Sequence, residues 1–99
     1  MIIIAGTISV KPETRDAAIE ACLTMQKATQ QEEGCISYRF HADLEDPNML
    51  FLFEEWESQE HLSAHFKAEH MKAYRAVIPA LVNGPSKLKY YTIESSRPL

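Results

Sequence analysis

The chain has 99 residues, of which 45% are hydrophobic and 24% are charged, a balance typical of one globular domain covering residues 1–99. Fourteen acidic side chains against ten basic ones give a net charge of −4, and there is no basic run, so we expect no nucleic-acid partner. The apolar opening MIIIAGTISV is too short to cross a bilayer and lacks the features of a signal peptide, so we expect a cytoplasmic protein that does not bind membranes.

The first two predicted elements are a strand and an amphipathic helix. From Ile2 to Val10 the side chains alternate and are rich in β-branched types, which favours a strand. Pro12 and Thr14 are typical of a helix start, and Gly34 is typical of the end of a helical segment. Between them, apolar residues recur at spacings of three and four: Ala18, Ile19, Cys22, Leu23 and Met25.

A β-hairpin is predicted next. Two alternating runs, Cys35–Ala42 and Met49–Trp56, are separated by DLEDPN, whose Asp, Pro and Asn residues favour turns. The pattern therefore predicts two antiparallel neighbours joined by a short connection.

Helical segments and a last strand complete the chain. Ser58 is a good N-cap for a helix that we expect to run to about His70. A second helical piece, residues 71–82, is weakened by Pro79. The alternating run Leu88–Ile93 predicts the final strand.

The predicted order is β-α-β-β-α-β, which indicates an α+β fold of the ferredoxin-like, split β-α-β type with one antiparallel sheet. Helices cover one face of such a sheet. The third strand, however, places Leu50 and Leu52 on one face and Phe51 and Phe53 on the other. Because an exposed apolar face usually marks an interface, we expect a second sheet to pack against the first.

The stretch EEWESQEHLSAHFKAEH contains the candidate chemistry. Glu54 and Trp56 are two residues apart and share a face of their strand. Leu62 and Phe66 predict a core-directed stripe on the following helix, which places His65 near the boundary between core and surface. A histidine held there by the carboxylate of Glu54 would be suited to act as a general base at neutral pH.

Other interpretations of these histidines remain open. His65 could instead be a packed or helix-capping residue, and His61 and His70 fit solvated helix positions. The HLSAH spacing with Glu57 or His70 could bind a metal, but it lacks the Glu of the HExxH motif. The sequence also has no GxGxxG motif, phosphate loop or nucleophile elbow, so we predict no metal and no organic cofactor.

The central part of the chain resembles the antibiotic biosynthesis monooxygenase family. The family pattern is a Gly-Cys pair and a Tyr in the second strand, an Asp-Pro turn, an aliphatic strand ending in Glu-x-Trp, and a helix with one or two histidines. The matching residues are Gly34, Cys35, Tyr38, Asp46, Pro47, Glu54, Trp56, His65 and His70.

This resemblance implies a homodimer in the form of a dimeric α/β barrel, with a pocket for a small molecule between the sheet and helices of each subunit. It also implies a cofactor-independent monooxygenase that uses dioxygen to oxidise a quinol-like aromatic. In this interpretation His65 is the base and Glu54 orients it, and the remaining site residues are substrate-binding: Trp56, Phe66 and Tyr74 on the pocket wall and His70 at its mouth. The alternatives are an isomerase of a small metabolite or signalling sugar and a non-catalytic ligand-binding or stress-response module.

Overall fold

The computed structural model describes residues 1–99, and its elements follow the predicted β-α-β-β-α-β order. The strands are β1 (Ile2–Ser9), β2 (Cys35–Ala42), β3 (Met49–Trp56) and β4 (Lys87–Thr92). The helices are α1 (Arg15–Thr29), α2 (Gln59–Phe66) and α3 (Glu69–Val77). All strand pairs are antiparallel in one sheet of order β2-β3-β1-β4, which confirms the predicted fold class.

The predicted helix that runs from Ser58 to His70 is wrong at its C-terminal end. The hydroxyl of Ser58 does cap α2 by accepting the backbone N–H of His61 at 3.3 Å. The helix nevertheless ends at Phe66, and Ala68 adopts an extended conformation before α3 begins. Lysine and alanine at positions 67 and 68 are good helix formers, so the break is a tertiary feature without a local stop signal.

The second predicted helical piece, residues 71–82, also has different bounds. Helix α3 begins earlier, at Glu69, and gives way after Val77 to a short 3-10 turn, Ile78–Ala80, that contains Pro79. No helix has the combination of length and hydrophobicity needed to cross a membrane.

The core lies between one face of the sheet and the helices. It contains the alternate residues of β1 and β3 together with one stripe of α1, and its members include Ile2, Ile4, Ile8, Leu50, Leu52, Trp56, Ala18, Cys22 and Met25. The opposite face of the sheet carries Phe51 and Tyr91, whose exposed fractions are 40% and 43%. This outer face is the apolar surface that the alternation in β3 predicted.

The connection from α1 to β2 depends on Gly34, which adopts a positive φ of 81°. Its carbonyl accepts the backbone N–H of Glu57 at 2.9 Å, and a Cβ at this position would overlap the ring of His61. We expect Gly34→Ala to lower the free energy of unfolding by about 2–4 kcal/mol, from backbone strain and overpacking together.

Gly84 supplies a matched control, since its φ is 77° and a Cβ there would meet open space. Gly84→Ala should therefore lower the free energy of unfolding by about 1–2 kcal/mol, from backbone strain alone. Urea unfolding of both variants measures the difference. Equal losses in the two variants would show that the contact with His61 contributes nothing.

Candidate active site

A cavity of about 610 Å³ opens between the inner face of the sheet and the segment that runs from α2 through α3 to β4. Its volume lies within the range of small-molecule sites in proteins. Most of its wall is apolar, with Ile4, Ile8, Leu52, Phe66, Met71, Ile78, Pro79, Val82, Pro85 and Leu88 among the lining residues. Its polar side chains are fewer and come from Tyr38, Glu54, Tyr74, Ser86, Lys89 and Tyr90. The cavity is therefore suited to an apolar ligand with a small number of polar groups.

Glu54 is the carboxylic acid on the cavity wall. It lies on the inner face of β3, directly opposite Tyr38 of β2, and only 5% of it is exposed. Its Oε1 atom accepts a hydrogen bond from Nε1 of Trp56 at 2.9 Å. Burial raises the pKa of Glu54 from 4.5 to about 7, opposed by the Trp56 bond and reinforced by the charge of Glu32. Near neutral pH, Glu54 can therefore both accept and donate a proton.

Two tyrosines add hydroxyl groups to the same wall. Burial raises the pKa of both Tyr38 and Tyr74 well above the ordinary value of 10. Their hydroxyls consequently remain protonated at neutral pH. They can donate hydrogen bonds to a ligand oxygen but cannot act as bases.

His65 is more deeply placed than the sequence predicted, with no exposed surface. Its ring packs on that of Trp56, with centroids 4.7 Å apart. Burial lowers the pKa of His65 below 6.5, although the hydrogen bond and charge of Glu32 act in the opposite direction. Its Nε2 atom has no hydrogen-bond partner. Such an unpaired buried group costs about 1–3 kcal/mol and therefore calls for an explanation.

The predicted pairing of His65 with Glu54 is wrong. The carboxylate that contacts His65 is Glu32, whose Oε2 atom lies 2.6 Å from Nδ1. The same oxygen lies 2.7 Å from Nε2 of His70. Glu32 belongs to the connection between α1 and β2, in the polar run QQEEG, where no pattern distinguishes it from its neighbours. Sequence reasoning missed this residue because its partners come from α2 and α3.

The predicted site residues occupy different surroundings. Phe66 is 42% exposed rather than directed into the core, and it lines the cavity with Tyr74. Trp56 is fully buried and does not form the wall, a correction that follows from its packing against His65. His65 is not on the wall either; the nearest wall rings are those of Tyr38 and Phe66, 5.6 and 5.8 Å from its own.

The other two histidines of the motif also need correction. His70 does not lie at the cavity mouth, because it lines a separate groove of about 400 Å³ beside α1 and α3. His61 is half-buried rather than solvated, and its Nδ1 atom lies 2.8 Å from the hydroxyl of Ser58. Both positions follow from tertiary contacts with the α1–β2 connection and the start of α2.

Glu32, His65 and His70 are the residues that could hold a metal ion, since their potential ligand atoms all lie within 4.8 Å of one another. Their present spacing is that of hydrogen bonds, with both nitrogens less than 2.8 Å from one oxygen. Ligands at ~2.0–2.2 Å from a tetrahedral ion lie ~3 Å or more apart, so this cluster would have to expand to accept one.

Comparison with known proteins finds relatives that are similar in sequence over most of the chain. The chain is 32% identical over 98 residues to the uncharacterized protein sll1783 of Synechocystis, covering 99% of this chain and 67% of that protein. It is 28% identical over 88 residues to the probable quinol monooxygenase YgiN of Escherichia coli K12, covering 79% and 85% of the two chains.

A solved structure has the same fold as this chain, and a family model matches its sequence. The structure of Rv0793 from Mycobacterium tuberculosis superposes with a TM-score of 0.90 at 25% identity, covering 98% of both chains. The model of the family described as antibiotic biosynthesis monooxygenase matches residues 1–77. Because this match covers most of the chain, including β1 to α3, the protein belongs to the antibiotic biosynthesis monooxygenase family.

Proposed function

We propose that the protein is a cofactor-independent monooxygenase that uses dioxygen to oxidise a small quinol-like aromatic. The observation that carries this proposal is the buried carboxyl of Glu54, which has a pKa of about 7 and lies on the wall of a largely apolar cavity. The similarity to a probable quinol monooxygenase of E. coli supports the choice of substrate class.

The first step removes a proton from a substrate hydroxyl. The Glu54 carboxylate accepts it, so the substrate O–H bond breaks and a carboxyl O–H bond forms. The resulting phenolate is a good electron donor and passes one electron to dioxygen, which gives superoxide and a semiquinone radical. These combine at the neighbouring ring carbon to form a peroxide, which takes up one proton from solvent while Glu54 keeps the proton it received from the substrate. Tyr38 and Tyr74 can hold substrate oxygens by donating hydrogen bonds.

The second stage expels water and needs two proton-handling groups. The ring C–H proton must leave as the O–O bond breaks, and the departing oxygen must receive a proton. Protonated Glu54 supplies the proton to the departing oxygen. We assign removal of the ring C–H proton to Nε2 of His65, which has no hydrogen-bond partner. Because His65 does not line the cavity, this assignment requires one of the neighbouring wall rings, Tyr38 or Phe66, to move aside. Protonated His65 then releases its proton to solvent, which replaces the one taken up by the peroxide, so overall quinol and dioxygen give a hydroxyquinone and water.

Oxygen uptake with a panel of hydroquinones tests the proposal, using protein treated with a chelator. We expect one dioxygen consumed per quinol and one oxygen atom from labelled dioxygen in the product. Rearranged product without oxygen uptake would establish an isomerase instead. Saturable ligand binding without turnover across the panel would identify a non-catalytic binding module.

We also propose that two copies pack through the outer face of the sheet, around Phe51 and Tyr91. Covering about 600 Å² per subunit would contribute on the order of 15 kcal/mol of gross apolar burial per subunit, before the costs of association. Phe51→Lys should therefore shift the protein from dimer to monomer in sedimentation at micromolar concentration.

Leu23→Lys is the matched control for the dimer, because Leu23 is a comparably exposed apolar residue, 45% accessible, on α1. Helix α1 packs on the inner face, so this variant should remain dimeric. A monomeric wild-type protein, or dissociation of both variants alike, would contradict the proposed interface.

A further inference from the structure

We propose that Glu32 is a positioning residue that holds His65 with its ring proton on Nδ1 and leaves the Nε2 lone pair as the proton acceptor. The inference deepens the function proposed above and rests on it for the role of His65 in turnover. Neither the sequence pattern nor the family resemblance assigned Glu32 a role.

The hydrogen-bond geometry supports this tautomer of His65. A carboxylate offers only acceptors, and a neutral imidazole carries one N–H group. The 2.6 Å approach of Nδ1 to Oε2 of Glu32 is therefore satisfied by Nδ1–H donating to the carboxylate. Nε2 is then unprotonated, which agrees with its lack of a partner in a fully buried ring.

The surroundings of His65 suit a group that gains a proton during turnover. Tyr38, Trp56 and Phe66 present rings to it from the sheet and from its own helix. The ionisable groups that act on it are Glu32, His70 and Arg75. When Nε2 accepts a proton, the imidazolium charge would lie beside the Glu32 carboxylate, whereas without Glu32 that charge would form in the core uncompensated.

His70 completes the arrangement by fixing Glu32. Its Nε2 atom lies 2.7 Å from the same carboxylate oxygen, and 25% of its side chain is exposed. One oxygen thus accepts hydrogen bonds from two helices. This double contact limits the rotation of the Glu32 side chain and keeps its oxygen directed at Nδ1 of His65.

The test is ¹⁵N NMR of the histidine rings combined with turnover, comparing Glu32→Gln with Glu33→Gln. Glu33 is the exposed neighbour and makes no side-chain hydrogen bond in the structure, so its variant should behave like wild type. In the wild type we expect the Nδ1–H tautomer of His65. In Glu32→Gln we expect the pKa of His65 to fall further, because burial is then unopposed by the carboxylate.

Turnover should fall about 10²-fold in Glu32→Gln. We expect this loss to be smaller than the loss of turnover in a catalytic triad whose histidine is held entirely in the wrong tautomer. The His65-dependent limb of the pH–rate profile should move to lower pH. His70→Gln should show the same changes to a smaller extent, because Glu32 keeps its contact with His65.

The NMR measurement tests the positioning of His65 by Glu32, and the turnover measurement tests the proposed function. An Nε2–H tautomer of His65 in the wild type, or an unchanged His65 pKa in Glu32→Gln, would overturn the inference whatever the substrate. The expected NMR behaviour in a protein that consumes no oxygen would support the positioning by Glu32 and reject the monooxygenase proposal.

Discussion

Glu54→Gln should reduce turnover by about 10²- to 10⁴-fold, the contribution of a positioned general base. The amide is close in shape to the acid, and its oxygen can still accept the hydrogen bond from Trp56. The fold should therefore persist while proton transfer is lost. In the wild type, the rate should rise with pH through about 7 as Glu54 ionises, and this rise should be absent in the variant.

The same substitution should stabilise the protein in mildly alkaline solution. The pKa of Glu54 is raised from 4.5 to about 7 in the folded state, so folding favours its protonated form. The stability that the protonated Glu54 carboxyl contributes is fully present below pH 4.5 and is lost as the pH rises through 7. A shift of this size corresponds to a gross effect of about 3 kcal/mol at pH 8, which Glu54→Gln should largely recover.

Chemical unfolding at pH 5 and pH 8 measures this effect, with Glu57→Gln as the control. Glu57 is an exposed residue just beyond the same strand, and its variant should change stability little at either pH. A Glu54→Gln variant that is less stable than wild type at pH 8, or that keeps full turnover, would remove Glu54 from the mechanism.

His65→Ala should also reduce turnover by about 10²- to 10⁴-fold if His65 accepts the ring proton in the water-loss stage. Because His65 is fully buried, the substitution leaves a cavity and deprives Glu32 of a donor, at a cost of about 2–4 kcal/mol. His65→Asn is the second variant, since its smaller amide removes the base but retains a group able to donate.

His61→Ala is the matched histidine control for turnover. His61 contacts Ser58 and the α1–β2 connection rather than the cavity, so its loss should lower stability modestly and leave the rate near wild type. Rate measurements are made well below the unfolding transition of each variant. Full turnover by folded His65→Asn, with an unchanged pH profile, would contradict a proton-transfer role for His65.

Much of the fold could be predicted because its signals are local. The bounds of β2 and β3 agree with the prediction, since side-chain alternation identifies strands and DLEDPN identifies the connection between them. The placement of Glu54 and Trp56 on one face also follows from the two-residue period of a strand. Spacing alone could not say that Trp56 would be completely enclosed while Glu54 reaches the cavity.

The sequence by itself determined the order of elements, the two apolar faces of the sheet and the region that supplies the candidate chemistry. The tertiary structure decided which groups meet: Glu32 contacts His65 and His70, which lie 33 and 38 residues away along the chain. It also decided the break at Ala68 and the exposure of Phe66. Periodicity and capping report interactions within a few residues, whereas a carboxylate shared between two helices depends on how distant elements pack.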